Sequence, residues 1–333
     1  MARPLRNRVT VHVANDPGAP PAEHISAEKF WNAFPQAQRM ERRISLSVGS
    51  GEDGLADTLP AMDVLLGNRI RARALVGQAP RLRWVHIMSA GVDFLRPFDW
   101  LPDHVVMTKS SGVHVPKAGE FATAALLMLN NLIPFYITNQ KQHRWVKVHS
   151  PTIRGKTAVI IGVGAIGGEA ARKAKMLGLR VLGVRRSGRR HRHVDRMYRP
   201  DRLRDILPAA DFVLVTAPLT QSTAGLLGRA ELDLLKPTAG LVNVGRAAIV
   251  DYTALAEKLN NGALGGAILD VFNPEPLPEH SPLWDCRNLI ILPHITLDAP
   301  DYGVRVLRIF ADNLRRFIAG RQLRNIVDRD AGY

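Results

Sequence analysis

The stretch that decides the fold runs from Thr157 to Ser187. It reads Thr157-Ala-Val-Ile-Ile-Gly162-Val-Gly164-Ala165-Ile166-Gly167-Gly168, then Glu169-Ala-Ala-Arg-Lys-Ala-Lys-Met-Leu-Gly178, then Leu179-Arg-Val-Leu-Gly-Val-Arg185-Arg186-Ser187. A β-branched apolar run predicts a strand, and the Ala- and Lys-rich segment closed by Gly178 predicts a helix. A second apolar run predicts another strand. Strand, Gly-x-Gly-x-x-Gly turn, helix and strand together form the opening unit of a dinucleotide-binding sheet. Gly162 suits the tight turn, Gly164 lets the backbone approach a pyrophosphate, and Gly167 lets helix and strand pack closely. The phosphates then fall on the positive end of the helix that begins at Ala165 and Ile166.

The end of the second strand selects the cofactor. A carboxylate there holds the ribose 2′-hydroxyl of NAD, whereas arginine suits the 2′-phosphate of NADP. Arg185 stands 18 residues past Gly167, followed by Arg186 and Ser187, and the next carboxylate is Asp195. Two guanidiniums and a hydroxyl can bind a phosphate through charge-assisted hydrogen bonds. The expected cofactor is therefore NADP in preference to NAD.

Outward from this unit the alternation continues. Apolar runs at 212–216, 240–244, 266–271 and 288–292 join those at 157–161 and 180–184 as six expected strands. Helices are expected between them, notably at 165–177, 203–209, 229–235 and 252–260. Upstream, Val9–Ala14, Ile44–Val48, Met62–Leu66, Trp84–Ser89 and Val105–Lys109 read as strands, with Ala27–Phe34 and Ala72–Gln78 at helical spacing. This first set lacks a glycine-rich phosphate turn, so it forms a second, different α/β domain. Residues 117–145 predict a long helix, apolar nearly all round in its first half and interrupted at Pro134. An amphipathic helix over Tyr302–Ala319 and a short tail from Leu323 are expected to return to the first domain.

The expected architecture is thus two doubly wound parallel-sheet domains. One covers 1–110 and 299–333 as a discontinuous substrate domain. The other, a dinucleotide-binding Rossmann domain with its linking helix, covers 111–298.

The 333 residues carry a formal net charge of +15, with one dense basic run over 185–204. No zinc-finger spacing occurs and no aromatic residues interleave with the densest part of that run, so a nucleic-acid partner is not expected. An arginine bias and an anionic cofactor account for the charge. A single cysteine, Cys286, excludes an intramolecular disulfide and fits a reducing compartment. The basic start runs straight into a strand-like segment, and no uninterrupted apolar stretch reaches the ~18 residues of a membrane span. A soluble, cytoplasmic protein is expected.

Three segments place reactive side chains just past expected strands: Val242-Asn243-Val244-Gly245-Arg246, Leu269-Asp270-Val-Phe-Asn-Pro-Glu275-Pro-Leu-Pro and Leu292-Pro293-His294. Singly, each has a plain structural reading. Together at one sheet edge they suit hydride transfer to a 2-keto acid. The anionic substrate calls for a bidentate cation, Arg246. The carbonyl calls for a proton donor titrating near neutrality, His294. The imidazole calls for a carboxylate to orient it, Glu275.

These motifs, in this order and separation and spanning nearly the whole chain, resemble the D-2-hydroxyacid dehydrogenase family, in particular its glyoxylate/hydroxypyruvate reductases. The resemblance implies a flavodoxin-like outer domain, an active-site cleft between the domains and a homodimer. It further implies that backbone amides of Ser89, Ala90 and Gly91 hold the substrate carboxylate. Ala217, Pro218, Thr223 and Val244 would lie along the cofactor, and Asp270 near the nicotinamide carboxamide.

The chain departs from the pattern at His294-Ile-Thr296-Leu-Asp298, where the family often has a small residue shortly after the histidine, so the choice of substrate stays open. Formate dehydrogenases of the same superfamily pair the histidine with glutamine, and Glu275 argues against that branch. The alternative reading is a nucleotide-gated binding protein similar to the family's corepressor branch. The presence of all three catalytic residues argues against it.

Overall fold

The computed structural model describes residues 8–21, 23–34, 40–51, 55–68 and 78–332. The chain divides into two compact units, residues 1–113 with 299–333 and residues 114–298. No single helix among the described residues is long and apolar enough to cross a membrane.

The first unit is built on a five-stranded parallel sheet in the order β2-β1-β3-β4-β5. Its strands are β1 (Val9–Asn15), β2 (Ile44–Ser50), β3 (Val64–Gly67), β4 (Trp84–Ile87) and β5 (Val106–Lys109). The pattern of burial follows position. Strands β3 and β4 are buried at every residue, whereas the outer strand β2 alternates buried, half-buried and exposed. Continuous apolar runs therefore mark the middle of a sheet covered on both faces.

The helix Tyr302–Ile318 lays Val306, Leu307, Phe310, Leu314 and Ile318 against one face, where Phe310 stacks on Trp84 at 4.9 Å between ring centroids. The tail then runs antiparallel along β5, Lys109 donating to the Asn325 carbonyl and Val327 to that of Met107. Within this sheet His86 is fully buried. Its Nδ1 lies 2.7 Å from Thr108 Oγ1 and its Nε2 3.0 Å from Ser110 Oγ. The helix expected over Ala72–Gln78 lies, but for Gln78, outside the described residues.

The second unit carries a seven-stranded, all-parallel sheet in the order β12-β11-β10-β9-β6-β7-β8. The strands are β6 (Thr157–Ile161), β7 (Arg180–Val184), β8 (Arg196–Tyr198), β9 (Phe212–Val215), β10 (Gly240–Asn243), β11 (Gly266–Leu269) and β12 (Leu289–Ile291). Counted within the unit, the order from β8 is 3-2-1-4-5-6-7. This is the Rossmann pattern with one strand added, and its topological switch lies between β6 and β9.

Strand β8 was not among the six expected. Arg196-Met-Tyr has no apolar run, and it is ordered by pairing with the open edge of β7, Leu182 opposite Arg196.

The linking helix also differs from expectation. It is two helices, Val115–Asn130 and Ile133–Lys141, bent by 64°. The break falls at Leu132, whose φ of 57° is left-handed, and not at Pro134. Pro134 sits in the first turn of the second helix, where its missing N–H leaves no hydrogen bond unmade. Further on, the expected helix at 203–209 tightens into a 3-10 turn from Leu207, next to Pro208.

Candidate active site

The glycine turn is shaped by what its backbone must clear. Gly162 has φ +99°, and a Cβ there would enter the backbone of Thr216 and Ala217 at the end of β9. A Cβ on Gly167 would strike the Gly162 carbonyl and the Thr216 hydroxyl. That hydroxyl donates to the Gly162 carbonyl at 2.8 Å and so pins the turn to β9. Gly164 is different: no protein atom lies within 4 Å of the Cβ it lacks. It caps the helix Ala165–Met176, whose first turn receives no side-chain cap. Open space beside uncapped first-turn amides is the arrangement that accepts a phosphate.

At the carboxyl end of β7 the Arg185 guanidinium folds over this turn. Its Nη1 reaches the Val163 carbonyl at 3.4 Å, and its Nε is buried with no hydrogen-bond partner. Ser187 accepts from the Arg189 amide, and Arg186 and Ser187 are exposed. The carboxylate nearest in sequence, Asp195, is bound at the opposite end of the strand. It accepts from the Val181 amide at 2.7 Å and from Lys175 at 2.8 and 2.9 Å. Asp195 therefore cannot serve as an acidic ribose ligand, and the strand end is cationic. Beside it, burial and then the charges of His193, Arg185 and Arg192 hold His191 below the usual histidine range. A dinucleotide fits these residues.

Ala217 and Pro218 form the turn after β9, closed by Thr223, whose hydroxyl donates to the Pro218 carbonyl at 2.7 Å. Gly245 lets the β10 turn meet it, since a Cβ there would lie 2.8 Å from the Ala217 carbonyl oxygen. Val244 continues the ladder by donating to Val215. Buried Asn243 organises the rest. Its amide donates to the Arg246 carbonyl at 3.1 Å and to the Tyr252 hydroxyl at 2.9 Å, while its oxygen accepts from Gly245. Tyr252 passes its own proton to the Val271 carbonyl. Arg246 emerges from this braced turn half-buried, its Nη1 on the Gly245 carbonyl at 2.8 Å.

Strands β10, β11 and β12 are neighbours, so Arg246, Asp270 and His294 leave adjacent carboxyl ends. Glu275 Oε2 lies 2.8 Å from His294 Nδ1, and Oε1 accepts from the Phe272 amide at 2.7 Å. The carboxylate is thus fixed to its own loop and orients the ring. The His294 side chain remains 49% exposed with its Nδ1 engaged by Glu275. Its backbone is left-handed, φ 53°. Such a conformation costs a non-glycine residue about 1–3 kcal/mol.

Asp270, 2% exposed, does not end in open space. Its carboxylate accepts from the Ile295 and Thr296 amides and from the Thr296 hydroxyl. Burial holds this carboxyl above the usual range. The Thr296 hydroxyl, the two amides and the nearby His294 oppose that effect.

Ser89, Ala90 and Gly91 belong to the first unit, in the half-buried turn after β4. Ser89 donates through Oγ to the Gly91 carbonyl at 2.6 Å and through its amide to Asn68. No group of three or more His, Cys, Asp or Glu is placed to hold a metal among the described residues.

Sequence reasoning missed the bracing set of Thr216, Asn243, Tyr252 and Thr296. Only Asn243 carried a signal, being a small amide at a strand end two residues before a glycine.

Residues 123–296 match the family described as D-isomer specific 2-hydroxyacid dehydrogenase, NAD binding domain. The chain is 33% identical over 281 residues to a glyoxylate reductase of Aeropyrum pernix, covering 81% of this chain and 83% of that one. Among solved structures it is similar to a D-isomer specific 2-hydroxyacid dehydrogenase of Xanthobacter autotrophicus in complex with NADPH and MES. That pair has 28% identity and a TM-score of 0.82, over 98% of this chain and 100% of the other. It is also similar to an NADPH-dependent glyoxylate/hydroxypyruvate reductase of Sinorhizobium meliloti in complex with NADP and sulfate. Here the identity is 26% and the TM-score 0.81, over 97% of this chain and 100% of the other.

Proposed function

The chain belongs to the D-isomer specific 2-hydroxyacid dehydrogenase family, and on that premise we propose that it is an NADP-preferring reductase of small 2-keto acids, with glyoxylate and hydroxypyruvate as its substrates. The observation that carries the reading is the His294–Glu275 pair, 2.8 Å apart past the end of β12. Bound NADPH would supply a hydride to the keto carbon; Gly162, Gly164, Ala165, Ile166 and Gly167 hold its phosphates, and Arg185, Arg186 and Ser187 its 2′-phosphate. Arg246 binds the substrate's carboxylate and keto oxygen. His294, oriented through Nδ1, delivers its proton from Nε2 to that oxygen, and Glu275 stabilises the charged imidazole beforehand. In the turn Ser89–Gly91 the amides of Ala90 and Gly91 are assigned to the carboxylate, that of Ser89 being bonded to Asn68.

Support for the cofactor preference comes from the cationic end of β7 and the engagement of Asp195 elsewhere. Two relatives of the same fold carry NADPH or NADP in their structures. We assign a homodimer on the exposure of Trp145, 90%, beside Val146 and Val148. A second copy would cover this apolar segment, and sedimentation tests it. The lone Cys286 suits the reducing cytoplasm.

The deciding experiment follows loss of reduced-nicotinamide absorbance with NADPH or NADH and a panel of keto acids. NADPH should be oxidised faster, with glyoxylate and hydroxypyruvate foremost. Replacing Arg185 and Arg186 by alanine should weaken NADPH use about tenfold to a hundredfold and spare NADH use. That range corresponds to losing a hydrogen bond between charged groups. Equal use of both cofactors would overturn the preference, and no oxidation of either would overturn the reductase.

A further inference from the structure

Residues 294–296 fold against a single buried carboxylate. Ile295 donates its amide to Asp270 Oδ1 at 2.9 Å, and Thr296 donates its amide to both oxygens at 3.3 Å. The Thr296 hydroxyl donates to Oδ2 at 2.7 Å. Thr296 is 6% exposed. The Asp270 amide is itself bonded to the Asn243 carbonyl, which ties this anchor to the turn that presents Arg246. A left-handed backbone at a residue other than glycine persists only where its surroundings impose it. The imposing contacts on His294 are these bonds to the next two residues.

We propose, resting on the function assigned above, that Thr296 is a positioning residue for proton transfer: its hydroxyl and amide lock Asp270 into the turn, and the lock holds His294 where Nδ1 meets Glu275 and Nε2 is left for the substrate. The hydroxyl has a second effect. Burial favours the protonated form of Asp270, and the Thr296 hydroxyl is the strongest contact favouring the ionised form. Charged or titratable groups facing His294 include Glu275 and Asp270, and those facing Asp270 include His294 and Tyr252. Without the hydroxyl Asp270 takes up a proton more readily. His294 then loses a negative neighbour.

Two variants separate hydroxyl from shape. Thr296→Val keeps the volume and loses the hydroxyl, while Thr296→Ser keeps the hydroxyl. Turnover of the best keto acid and a histidine NMR titration of the full chain without substrate are both measured. The His294 signal is assigned by its loss in His294→Ala. The valine variant should lose about tenfold to a hundredfold in kcat, the scale of a small misplacement of a reacting group, with KM little changed. Its His294 midpoint should fall, and the serine variant should resemble wild type in both readouts. Equal losses in both variants, or an unchanged kcat and midpoint in the valine variant, would overturn the proposal. Absence of turnover in the wild type would instead overturn the reductase reading. The titration alone would then decide: a downward shift confined to valine sustains the positioning role, and no shift ends it.

Discussion

His86 lies within β4 of the first unit and His294 just beyond β12 in the second, and their surroundings differ in every respect that governs proton chemistry. His86 is fully buried between two hydroxyls. Ser110 donates its own proton to the Ile87 carbonyl, so it accepts from His86 Nε2–H. The Trp84 indole donates to Thr108, whose hydroxyl proton is left for His86 Nδ1. The network therefore fixes one neutral tautomer and satisfies it, and burial pushes the imidazole down to about 3. His294 is half-exposed, its backbone is left-handed, and its partner is a carboxylate. A histidine with two hydroxyl neighbours is a piece of core. A half-exposed histidine held by one carboxylate is the arrangement on which the proposed proton transfer rests.

The contrast breaks if either residue behaves like the other. The largest effect expected is on turnover: His294→Gln should lower kcat by about 10²–10⁴, the usual worth of a general acid, with an unchanged melting curve. His86→Gln should do the reverse, lowering the melting temperature and sparing kcat at temperatures where the variant is folded.

The next effect is one of pH. With the folded His86 at about 3 and an unfolded histidine at 6.5, the unfolded chain binds more protons between those values. Stability is fully present above pH 6.5 and lost as pH falls, at about 1.4 kcal/mol per pH unit from this group. Urea titrations of wild type and His86→Gln across that range should show the extra slope only in wild type. The smallest effect sharpens the assignment of the network. Thr108→Val removes a hydroxyl that serves both Trp84 and His86 and should cost about 1–3 kcal/mol, read from the denaturation midpoint.

Much of the fold could be read from local chemistry. Buried parallel strands are apolar runs whatever their partners, so β1, β6, β7 and β9 stand out in the chain, and the glycine turn announces the helix that follows it. The meeting of Glu275 with His294 was legible because an imidazole placed to handle a proton calls for a carboxylate to orient it. What escaped reading depends on distant partners. Strand β8 exists because β7 offers an edge, and nothing in Arg-Met-Tyr says so. The break at Leu132 is a backbone choice that Pro134, two residues on, disguised. Thr296 stood out only as a departure that left the choice of substrate open, and its bond to Asp270, 26 residues earlier, is visible only after folding. The candidate site residues declare themselves as a set of motifs along the chain; the residues that brace them do so only once folding pairs them.

The tail bound along β5 has a consequence for handling the protein. Strand β5 is the outermost strand of its sheet, and Asn325–Val327 occupy the hydrogen-bonding groups it would otherwise present to neighbours. Exposed strand edges template aggregation. Shortening the chain to end at Leu323 would uncover Met107–Lys109, and the first loss would be of solubility on expression.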